Sequence, residues 1–369
     1  MMLLVVITVF ITFVLVLKLF FGRRLKDELV VTIFGTSAAL CLAEIVLVFS
    51  GFGATYLEKR GNGRPVDVNY QKEQPWTWDT NGQHRLKTSV FDYPRSTNRF
   101  GLSDYEWEDS TSSYRILVLG DSFTEGDGAP YDSSWVSLIR SLFKHDSIPV
   151  KIMNAGVCGS DPYEQLNLYN KVLAPLKPNL IIVATSTPDY TWDGMQKGGI
   201  ERFNRHGHNI SLLEASYAYS RVARLFLSVF FGYDEILVSR RDTEVLESKS
   251  KFLAQDIVTR FSNAVAVPVL FVMFPYESET SSGKYAYSID DVISNACRQY
   301  ENTVFFSTMA CYTEQITKLK LRSEDLWWIP EDGHHKPQGY AMMAECIYKK
   351  IKGNVQQEVS KYKAKRIKH

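Results

Sequence analysis

The sequence predicts an α/β protein, a three-layer α/β/α sandwich with a five-stranded, mainly parallel sheet, preceded by a two-helix transmembrane hairpin. Two observations lead to this prediction. From Tyr114 onward, short apolar runs alternate with segments of helical periodicity, a pattern typical of a parallel sheet covered on both faces. Before residue 53, two apolar stretches are each long enough to cross a bilayer.

The amino-terminal hairpin is predicted from composition and charge. Residues 2–21 and 29–52 are almost entirely apolar, and Glu44 is the one acid of the second stretch. The first stretch lacks the basic start and the small-residue end of a cleaved signal peptide, which favours two membrane spans. Arg23 and Arg24 in the connector should stay cytoplasmic, so the rest of the chain is predicted to be extracytoplasmic. Because a charge in lipid is costly, Glu44 is expected to face the partner helix or the interface.

Shifts in composition divide the rest of the chain. Residues 53–110 are rich in Gly, Asn, Asp, Pro and aromatic residues, which predicts turns and short strands. The polar, basic residues after Gly353 are expected to fray, with attraction to a membrane surface as the alternative. The predicted organisation is a transmembrane helical hairpin at 1–52, a linker with short strands at 53–110, the α/β domain at 111–353 with an insertion over the carboxyl edge of the sheet at 193–240, and a basic tail at 354–369.

Within the α/β domain, apolar runs predict five buried strands. The predicted strands lie at 115–119, 150–154, 179–185, 267–274 and 303–307. Segments of helical periodicity predict helices between them and after them. The predicted helices lie at 133–145, 162–173 and 242–261, with a last one at 337–352 that stops at Gly353.

Composition also excludes several classes of function. The formal net charge is +1, so no global field favours nucleic acid, and no nucleic-acid partner is expected. The five cysteines lack CxxC spacing, so neither a zinc site nor a disulfide framework is predicted. A Cys297–Cys311 pair is the alternative in an oxidising compartment. No metal or organic cofactor is implied.

A serine stands where the first predicted strand ends abruptly, in "YRILVLGDSFTEGDGAP", residues 114–130. Ligands of open α/β folds bind at the carboxyl ends of the strands, so Ser122 is placed where it could react. A serine nucleophile needs a base within hydrogen-bond reach and donors for the developing oxyanion. The Gly-x-Ser-x-Gly elbow of the α/β-hydrolases is absent, which disfavours that version of the chemistry.

The candidate base lies far along the chain, in "IPEDGHHKPQGYAMMAECI" just before the last predicted helix. There Asp332, His334 and His335 form an acid–imidazole cluster, and a carboxylate beside a histidine fixes its tautomer and stabilises the imidazolium. Taken alone, the cluster is better explained by a helix-capping loop with exposed histidines.

Taken together, these stretches resemble the SGNH, or GDSL-type, esterase and acyl-transferase superfamily. "GDSFTEGDG" is similar to its first block, with Ser122 as nucleophile, and "IMNAGVCGSDPYEQL" to its second, where the backbone N–H groups of Gly159 and Ser122 would bind the oxyanion. "LKPNLIIVATSTPDY" is similar to the strand that leads to the third block, and "EDGHHKPQGYAMMAECI" to the last. The resemblance covers roughly residues 95–352 and implies a flavodoxin-like sheet order. "STNRFGLSDYEWE" and "AEIVLVFSGFG" also resemble membrane-anchored members found with surface-polysaccharide genes.

The third block departs from the pattern of the superfamily. That block usually ends in Asn-Asp, whose asparagine amide completes the oxyanion hole, whereas this chain has Pro188-Asp189. Proline has no N–H to donate, and losing one such donor typically lowers turnover about a hundred- to a thousand-fold. The hydroxyl of Thr187 or Ser186 is the alternative donor.

The identity of the acting histidine also depends on the resemblance. The histidine of the superfamily usually precedes a helix glycine by five residues, which selects His334 ahead of Gly339. Its acid would then be Asp332, two residues earlier, or Glu331, three residues earlier. The commoner Asp-x-x-His spacing would instead pair Asp332 with His335. The favoured pair is His334 with Asp332.

The resemblance therefore implies a membrane-anchored serine esterase or O-acyl transferase that acts on acyl esters of a glycan or a lipid. Ser122, His334 and Asp332 would carry the chemistry, and residues 1–52 would hold the chain in the membrane. The alternative is a catalytically impaired domain of the same fold that binds glycan or takes part in surface-polysaccharide assembly, because Pro188 replaces the expected amide.

Overall fold

The fold is seen in a computed structural model that describes residues 27–50, 78–107, 113–190, 216, 220–231 and 243–367. The chain forms two compact units. The first unit contains Met1–Arg60 and Met195–Arg241, and the second contains Gly61–Gly194 and Asp242–His369. The insertion predicted at 193–240 belongs almost entirely to the first unit, and most of it lies outside the described residues.

The secondary-structure elements are numbered in chain order. The helices of the described residues are α1 (Asp27–Ser50), α2 (Ser122–Glu125), α3 (Trp135–His145), α4 (Pro162–Leu168), α5 (Arg221–Phe231), α6 (Thr243–Ala264), α7 (Glu277–Ser282), α8 (Ile289–Cys297), α9 (Met309–Leu319), α10 (Ser323–Leu326) and α11 (Pro337–Ile367). The strands are β1 (Gln83–Lys87), β2 (Asp92–Ser96), β3 (Tyr114–Gly120), β4 (Val150–Gly156), β5 (Leu180–Thr185), β6 (Val269–Met273) and β7 (Thr303–Ser307).

In the first unit, helix α5 is capped by an acid of α1. The carboxylate of Glu44 accepts hydrogen bonds from the Ser220 hydroxyl at 2.8 Å and from the backbone N–H groups of Arg221 at 2.8 Å and Val222 at 3.0 Å. It therefore satisfies N–H groups that a helix leaves unpaired in its first turn. Across the described residues, no helix is both long and apolar enough to cross a membrane, and this includes α1, which covers residues 29–50 of the predicted span at 29–52. The first predicted span, residues 2–21, lies outside the described residues.

The second unit is built on a five-stranded parallel sheet with the strand order β4-β3-β5-β6-β7. The predicted α/β class and parallel sheet are confirmed, and each predicted strand coincides with an observed one to within two residues at either end. The chain leaves β3 toward β4 on one side and leaves β5 toward β6 on the other. The direction of the connections therefore changes between β3 and β5, and open α/β sheets bind ligands at the carboxyl ends of the strands on either side of such a point.

Helices cover both faces of this sheet because successive residues of a strand point to opposite sides. Ile116 and Val118 of β3 pack in one apolar cluster with α3 and α11. Leu117 and Leu119 of the same strand pack in a second cluster with α6 and α8. All seven residues of β3 are buried, as expected for a strand inside a parallel sheet.

The linker contributes the two short strands that its composition predicts. Strands β1 and β2 pair antiparallel, with Gln83 opposite Ser96 and Lys87 opposite Asp92. One residue of β2 is buried, and it is Arg95, which is only 1% exposed. A buried guanidinium needs hydrogen-bond acceptors, and the loop after Ser122 supplies them, as described below.

The last helix is longer than predicted. Helix α11 continues through Gly353 to Ile367, so the predicted stop at Gly353 and the predicted frayed tail are wrong. A glycine inside a helix costs about 1 kcal/mol relative to alanine. Beyond it, Val355 and Val359 are only 2% and 5% exposed, and burial of each stabilises the protein by about 1.5 kcal/mol or more. Burial of these two valines therefore stabilises the helix by more than Gly353 destabilises it.

A disulfide joins Cys311 in α9 to Cys346 in α11, although no disulfide framework was predicted. The Cα atoms of the pair are 5.9 Å apart, an ordinary separation for a disulfide. Cys297 is a buried free thiol, so the alternative Cys297–Cys311 pairing is wrong. The two partners are 35 residues apart and are brought together by helix packing, which cysteine spacing does not reveal.

Candidate active site

Ser122 lies at a sharp turn between strand β3 and the short helix α2. Asp121 is the N-cap residue of α2, and its carboxylate accepts a hydrogen bond from the backbone N–H of Phe123 at 2.9 Å. The turn packs tightly on the end of β4, because a Cβ atom built on Gly156 would lie 2.2 Å from the backbone nitrogen of Glu125. The sequence thus places the Ser122 side chain, 8% exposed, at the carboxyl end of the central strands.

The histidine loop brings His334 onto Ser122. The Nε2 atom of His334 lies 2.8 Å from the Oγ atom of Ser122. On the other side of the ring, Nδ1 is hydrogen-bonded to Oδ1 of Asp332, which also accepts the backbone N–H of His334 at 3.2 Å. The intervening Gly333 has φ +89, a conformation that favours glycine and turns the carboxylate back toward the ring. An acid, an imidazole and a hydroxyl therefore form one hydrogen-bonded chain.

The other two acid–base candidates of this loop lie apart from that chain. His335 is fully buried, and its Nε2 atom is 2.9 Å from the hydroxyl of Tyr312. Burial and the neighbouring charge of His334 lower the pKa of His335 to about 3. The side chain of Glu331 is exposed to solvent. Of the two histidines and the two acids considered, the structure brings His334 and Asp332 to Ser122.

The charges around His334 set its proton affinity. Burial lowers the pKa of His334, but the hydrogen bond that it donates to Asp332 and the negative charges of Asp127, Asp332 and Asp121 outweigh burial, so the net shift is upward. For Asp332, burial raises the pKa, but the hydrogen bonds and the charge of His334 outweigh it and the net shift is downward. Burial, partly offset by the Phe123 N–H and the charge of His334, raises the pKa of Asp121 to about 6. The site is built to stabilise an imidazolium.

The candidate oxyanion donors follow two adjacent strands. Gly120 of β3 and Gly156 of β4 are register partners, so the segments that follow them start side by side. Gly159, with φ +68, lies in a turn closed by a hydrogen bond of 2.9 Å from the Ser160 N–H to the Val157 carbonyl. The backbone N–H of Ser122 stands at the first position of α2, where a helix offers no acceptor.

A 3₁₀ turn, Thr187–Asp189, lies directly after β5. The hydroxyl of Thr187 donates to Glu279 at 2.5 Å, and the hydroxyl of Ser186 donates to Asp189 at 3.0 Å. Burial and the charge of Asp121 raise the pKa of Asp189 well above its usual range, against the hydrogen bonds from Ser186. The hydroxyls of Thr187 and Ser186 therefore both already donate to acidic side chains of the fold.

Sequence reasoning did not single out the residues that hold the loop after Ser122. Arg95, from the linker, donates through Nη2 to the carbonyls of Gly126 and Ala129. The hydroxyl of Tyr340 donates to the Asp127 carbonyl at 2.6 Å. Asp127 could have been noticed in the sequence, since it lies within residues 114–130, the segment that contains Ser122. No local signal marks Arg95, because its role depends on a contact across 31 residues.

A cavity of about 550 Å³ lies elsewhere in the second unit. Residues 150–153 of β4, Arg115 of β3, and Arg140 and Lys144 of α3 contribute to its lining. The cavity therefore lies at the amino ends of β3 and β4, whereas Ser122 follows the carboxyl end of β3. Among the described residues, no group of histidine, cysteine or acidic side chains is arranged to hold a metal ion.

Comparison with known proteins gives similarity at the level of solved structures. The chain matches no protein-family model and no curated protein. It is similar to a two-domain esterase active on acetylated mannans, with 14% identity and a TM-score of 0.40 over 66% of this chain and 50% of that chain. It is also similar to a catalytic mutant of Axe2, an acetylxylan esterase from Geobacillus stearothermophilus, with 14% identity and a TM-score of 0.41 over 66% of this chain and 96% of that chain.

A third similar structure is LAE5, an alpha/beta hydrolase enzyme from the metagenome of Lake Arreo, Spain. It is 14% identical, with a TM-score of 0.39 over 65% of this chain and 94% of that chain. The chain spans about half the length of the two-domain esterase that it matches. At TM-scores near 0.4, the function has to be inferred from the site itself.

Proposed function

We propose that this protein is a serine esterase or O-acyl transferase of the SGNH type that acts on acyl esters of a glycan or a lipid. One observation carries the proposal, the hydrogen-bonded chain from Asp332 through His334 to the Ser122 hydroxyl. A nucleophile, a base within reach of its proton and an acid that orients the base are the three parts that acyl transfer requires.

The proposed reaction has two halves. Ser122 Oγ attacks the acyl carbonyl while its proton passes to Nε2 of His334, 2.8 Å away. The carbonyl oxygen becomes an oxyanion held by the backbone N–H groups of Ser122 and Gly159. The ester C–O bond then breaks, His334 returns its proton to the departing alcohol oxygen, and the acyl group stays on Ser122. Water or a sugar hydroxyl attacks this acyl-enzyme in the same way and restores the free serine.

Asp332 acts through the histidine. Its carboxylate accepts a hydrogen bond from the Nδ1–H group, which keeps Nε2 free to receive the serine proton. It also stabilises the imidazolium that forms as Ser122 attacks. The carboxylates of Asp127 and Asp121 add to that stabilisation, since their charges raise the pKa of His334.

The second candidate is a catalytically impaired domain that binds glycan in surface-polysaccharide assembly. The observation that favours it is at Pro188, which has no N–H, beside two hydroxyls that already donate to Asp189 and Glu279. An oxyanion hole of two donors instead of three would lower turnover about a hundred- to a thousand-fold. Under the esterase proposal, Pro188→Asn should therefore raise turnover where the turn tolerates it.

Hydrolysis of simple acetyl esters by the full chain in detergent tests the proposal. We expect slow release of acetate that Ser122→Ala abolishes. A variant of the exposed Glu331, Glu331→Gln, serves as the control and should keep the parent rate. If the parent, Pro188→Asn and Ser122→Ala all give the blank rate across acyl donors, the esterase proposal fails and the binding proposal remains.

We further propose that residues 1–52 attach the chain to a membrane and that the second unit is extracytoplasmic. The Cys311–Cys346 disulfide supports an oxidising compartment. Large apolar side chains are exposed in the first unit, which is typical of surfaces that meet lipid or protein; they are Leu40, Leu42, Val46, Val48 and Phe49 of α1 and Phe226, Val229, Phe230 and Phe231 of α5. Protease added outside spheroplasts should remove the second unit, and complete protection would contradict the orientation.

A further inference from the structure

A buried carboxylate links the nucleophile helix to the turn that follows β4. Glu125, the last residue of α2, is 1% exposed. Its Oε2 atom accepts the backbone N–H of Cys158 at 2.6 Å. Its Oε1 atom accepts the indole N–H of Trp78 at 2.6 Å and the hydroxyl of Ser103 at 3.1 Å. One side chain therefore joins three segments that are distant in sequence.

The bond to Cys158 reaches the backbone next to the candidate oxyanion donor. The turn 157–160 is fixed to the end of β3 at its two ends, where the Val157 N–H and the Ser160 hydroxyl both donate to the Gly120 carbonyl, at 3.0 and 3.1 Å. Its centre is the Cys158–Gly159 peptide, which carries the Gly159 N–H. Because turn types differ by rotation of this central peptide, its direction depends on what holds Cys158.

We propose that Glu125 is a positioning residue that fixes the oxyanion-binding turn relative to Ser122. This inference rests on the proposed acyl-transfer function. Glu125 and Ser122 share the four-residue helix α2, so any shift of the helix moves the nucleophile and the anchor of Cys158 together. The nucleophile and the Gly159 N–H thus keep their spacing through one rigid element.

The proposal gives the linker a role in the site. Trp78 and Ser103 both belong to the linker and donate to Oε1, which leaves Oε2 to face Cys158. A carboxyl group suits this position because the three groups described above all donate to its oxygen atoms. A glutamine would place an NH₂ group against one of these donors. The linker therefore completes the support of the oxyanion side rather than only connecting two parts of the chain.

The test compares Glu125→Gln with Asp104→Asn in the full chain. Asp104 is a matched control, since it is also a buried carboxylate of the second unit and accepts the backbone N–H of Asn154 at 2.8 Å, in the middle of β4. We expect Glu125→Gln to lower kcat on acetyl esters about ten- to a hundred-fold, less than deletion of an oxyanion donor, with KM changed less than about threefold. Asp104→Asn should reduce the melting temperature and leave kcat within about threefold of the parent.

Hydrogen–deuterium exchange of the peptide that contains residues 157–160 gives a readout independent of turnover. Exchange should be faster in Glu125→Gln and unchanged in Asp104→Asn. If Glu125→Gln does not fold, Ser103→Ala removes one donor from Oε1 and should change kcat and exchange in the same direction by less.

Equal kcat losses in Glu125→Gln and Asp104→Asn would overturn the inference, and so would unchanged exchange at 157–160. If the parent itself shows no turnover, the proposed function fails. The exchange comparison alone then decides whether Glu125 holds the turn.

Discussion

Replacement of Asp332 by asparagine distinguishes two roles for this residue, an acid that orients a catalytic histidine and a residue that only caps the loop. Asp332 makes two hydrogen bonds to His334, one to Nδ1 and one to the backbone N–H. An asparagine fills the same volume, but its amide can present an NH₂ group to Nδ1 and stabilise the wrong tautomer. The loss in kcat should be about 10³- to 10⁴-fold, as expected when a triad acid is replaced by its amide. That factor corresponds to about 4 to 5.5 kcal/mol of transition-state stabilisation.

The pH dependence of kcat/KM shows the direction in which Asp332 shifts the pKa of His334. His334 must be neutral to accept the serine proton, and its pKa lies above the ordinary 6.5, so kcat/KM of the parent should rise with pH through a midpoint above 6.5. Asp332→Asn removes a hydrogen bond and a charge that raise this pKa, so the midpoint should move to lower pH. The shift should be partial because Asp127 and Asp121 remain.

Stability should respond to the same pair. The raised pKa of His334 contributes stability that is present below pH 6.5 and lost as the pH rises through the folded-state pKa. The lowered pKa of Asp332 contributes stability that is present above pH 3.8 and lost as the pH falls through its folded-state value. The difference in melting temperature between the parent and Asp332→Asn should therefore be largest between pH 3.8 and 6.5.

The assay is initial-rate hydrolysis of an acetyl ester from pH 5 to 9, with Glu331→Gln as control. Glu331 is the neighbouring acid, is exposed, and should behave like the parent. Two results would refute the reasoning: an equal loss of kcat in Glu331→Gln, or a pH midpoint that Asp332→Asn leaves in place.

Three further predictions concern the fold around the site. His335→Leu loses the hydrogen bond with Tyr312 in a buried place, so calorimetry should show a loss of about 1 to 3 kcal/mol while kcat stays near that of the parent. A variant that is stable but inactive would contradict this prediction. Val359→Ala should lower the free energy of unfolding by about 1.5 to 2 kcal/mol, because Val359 is buried. An unchanged free energy of unfolding in urea titration would show that the end of α11 is not packed against the fold. Cys346→Ser removes the disulfide with Cys311, which closes a 35-residue loop, and should lower the free energy of unfolding by about 4 kcal/mol. An equal urea midpoint in the oxidised parent and the variant would argue against the disulfide.

The parts of the site that the sequence made predictable are local ones. A buried run that ends in Gly120, Asp121 and Ser122 places a serine at a strand end in any parallel sheet, and the observed strands agree with the predicted runs. The direction of the side chains depends on packing. His334 and His335 are adjacent in sequence, yet one faces Ser122 and the other packs against Tyr312.

The rest could not be predicted because it depends on contacts between distant segments. In the sequence, Gly353 is typical of a residue that ends a helix. The helix continues because Val355 and Val359, which follow the glycine, are buried against the rest of the fold. Glu125 and Arg95 carry no local signal, since their partners lie at least 22 and 31 residues away, respectively. Pairing of Cys311 with Cys346 likewise requires the packing of α9 on α11.

Covalent labelling of Ser122 is the most direct test of the proposed nucleophile. A fluorophosphonate probe reacts with an activated serine, and mass spectrometry of the digested full chain identifies the modified residue. We predict one adduct on Ser122 in the parent, none in Ser122→Ala, and much slower labelling in His334→Ala, because Nε2 of His334 lies 2.8 Å from the serine hydroxyl. An unlabelled parent across pH 6 to 9, or labelling at the same rate in His334→Ala, would contradict this prediction.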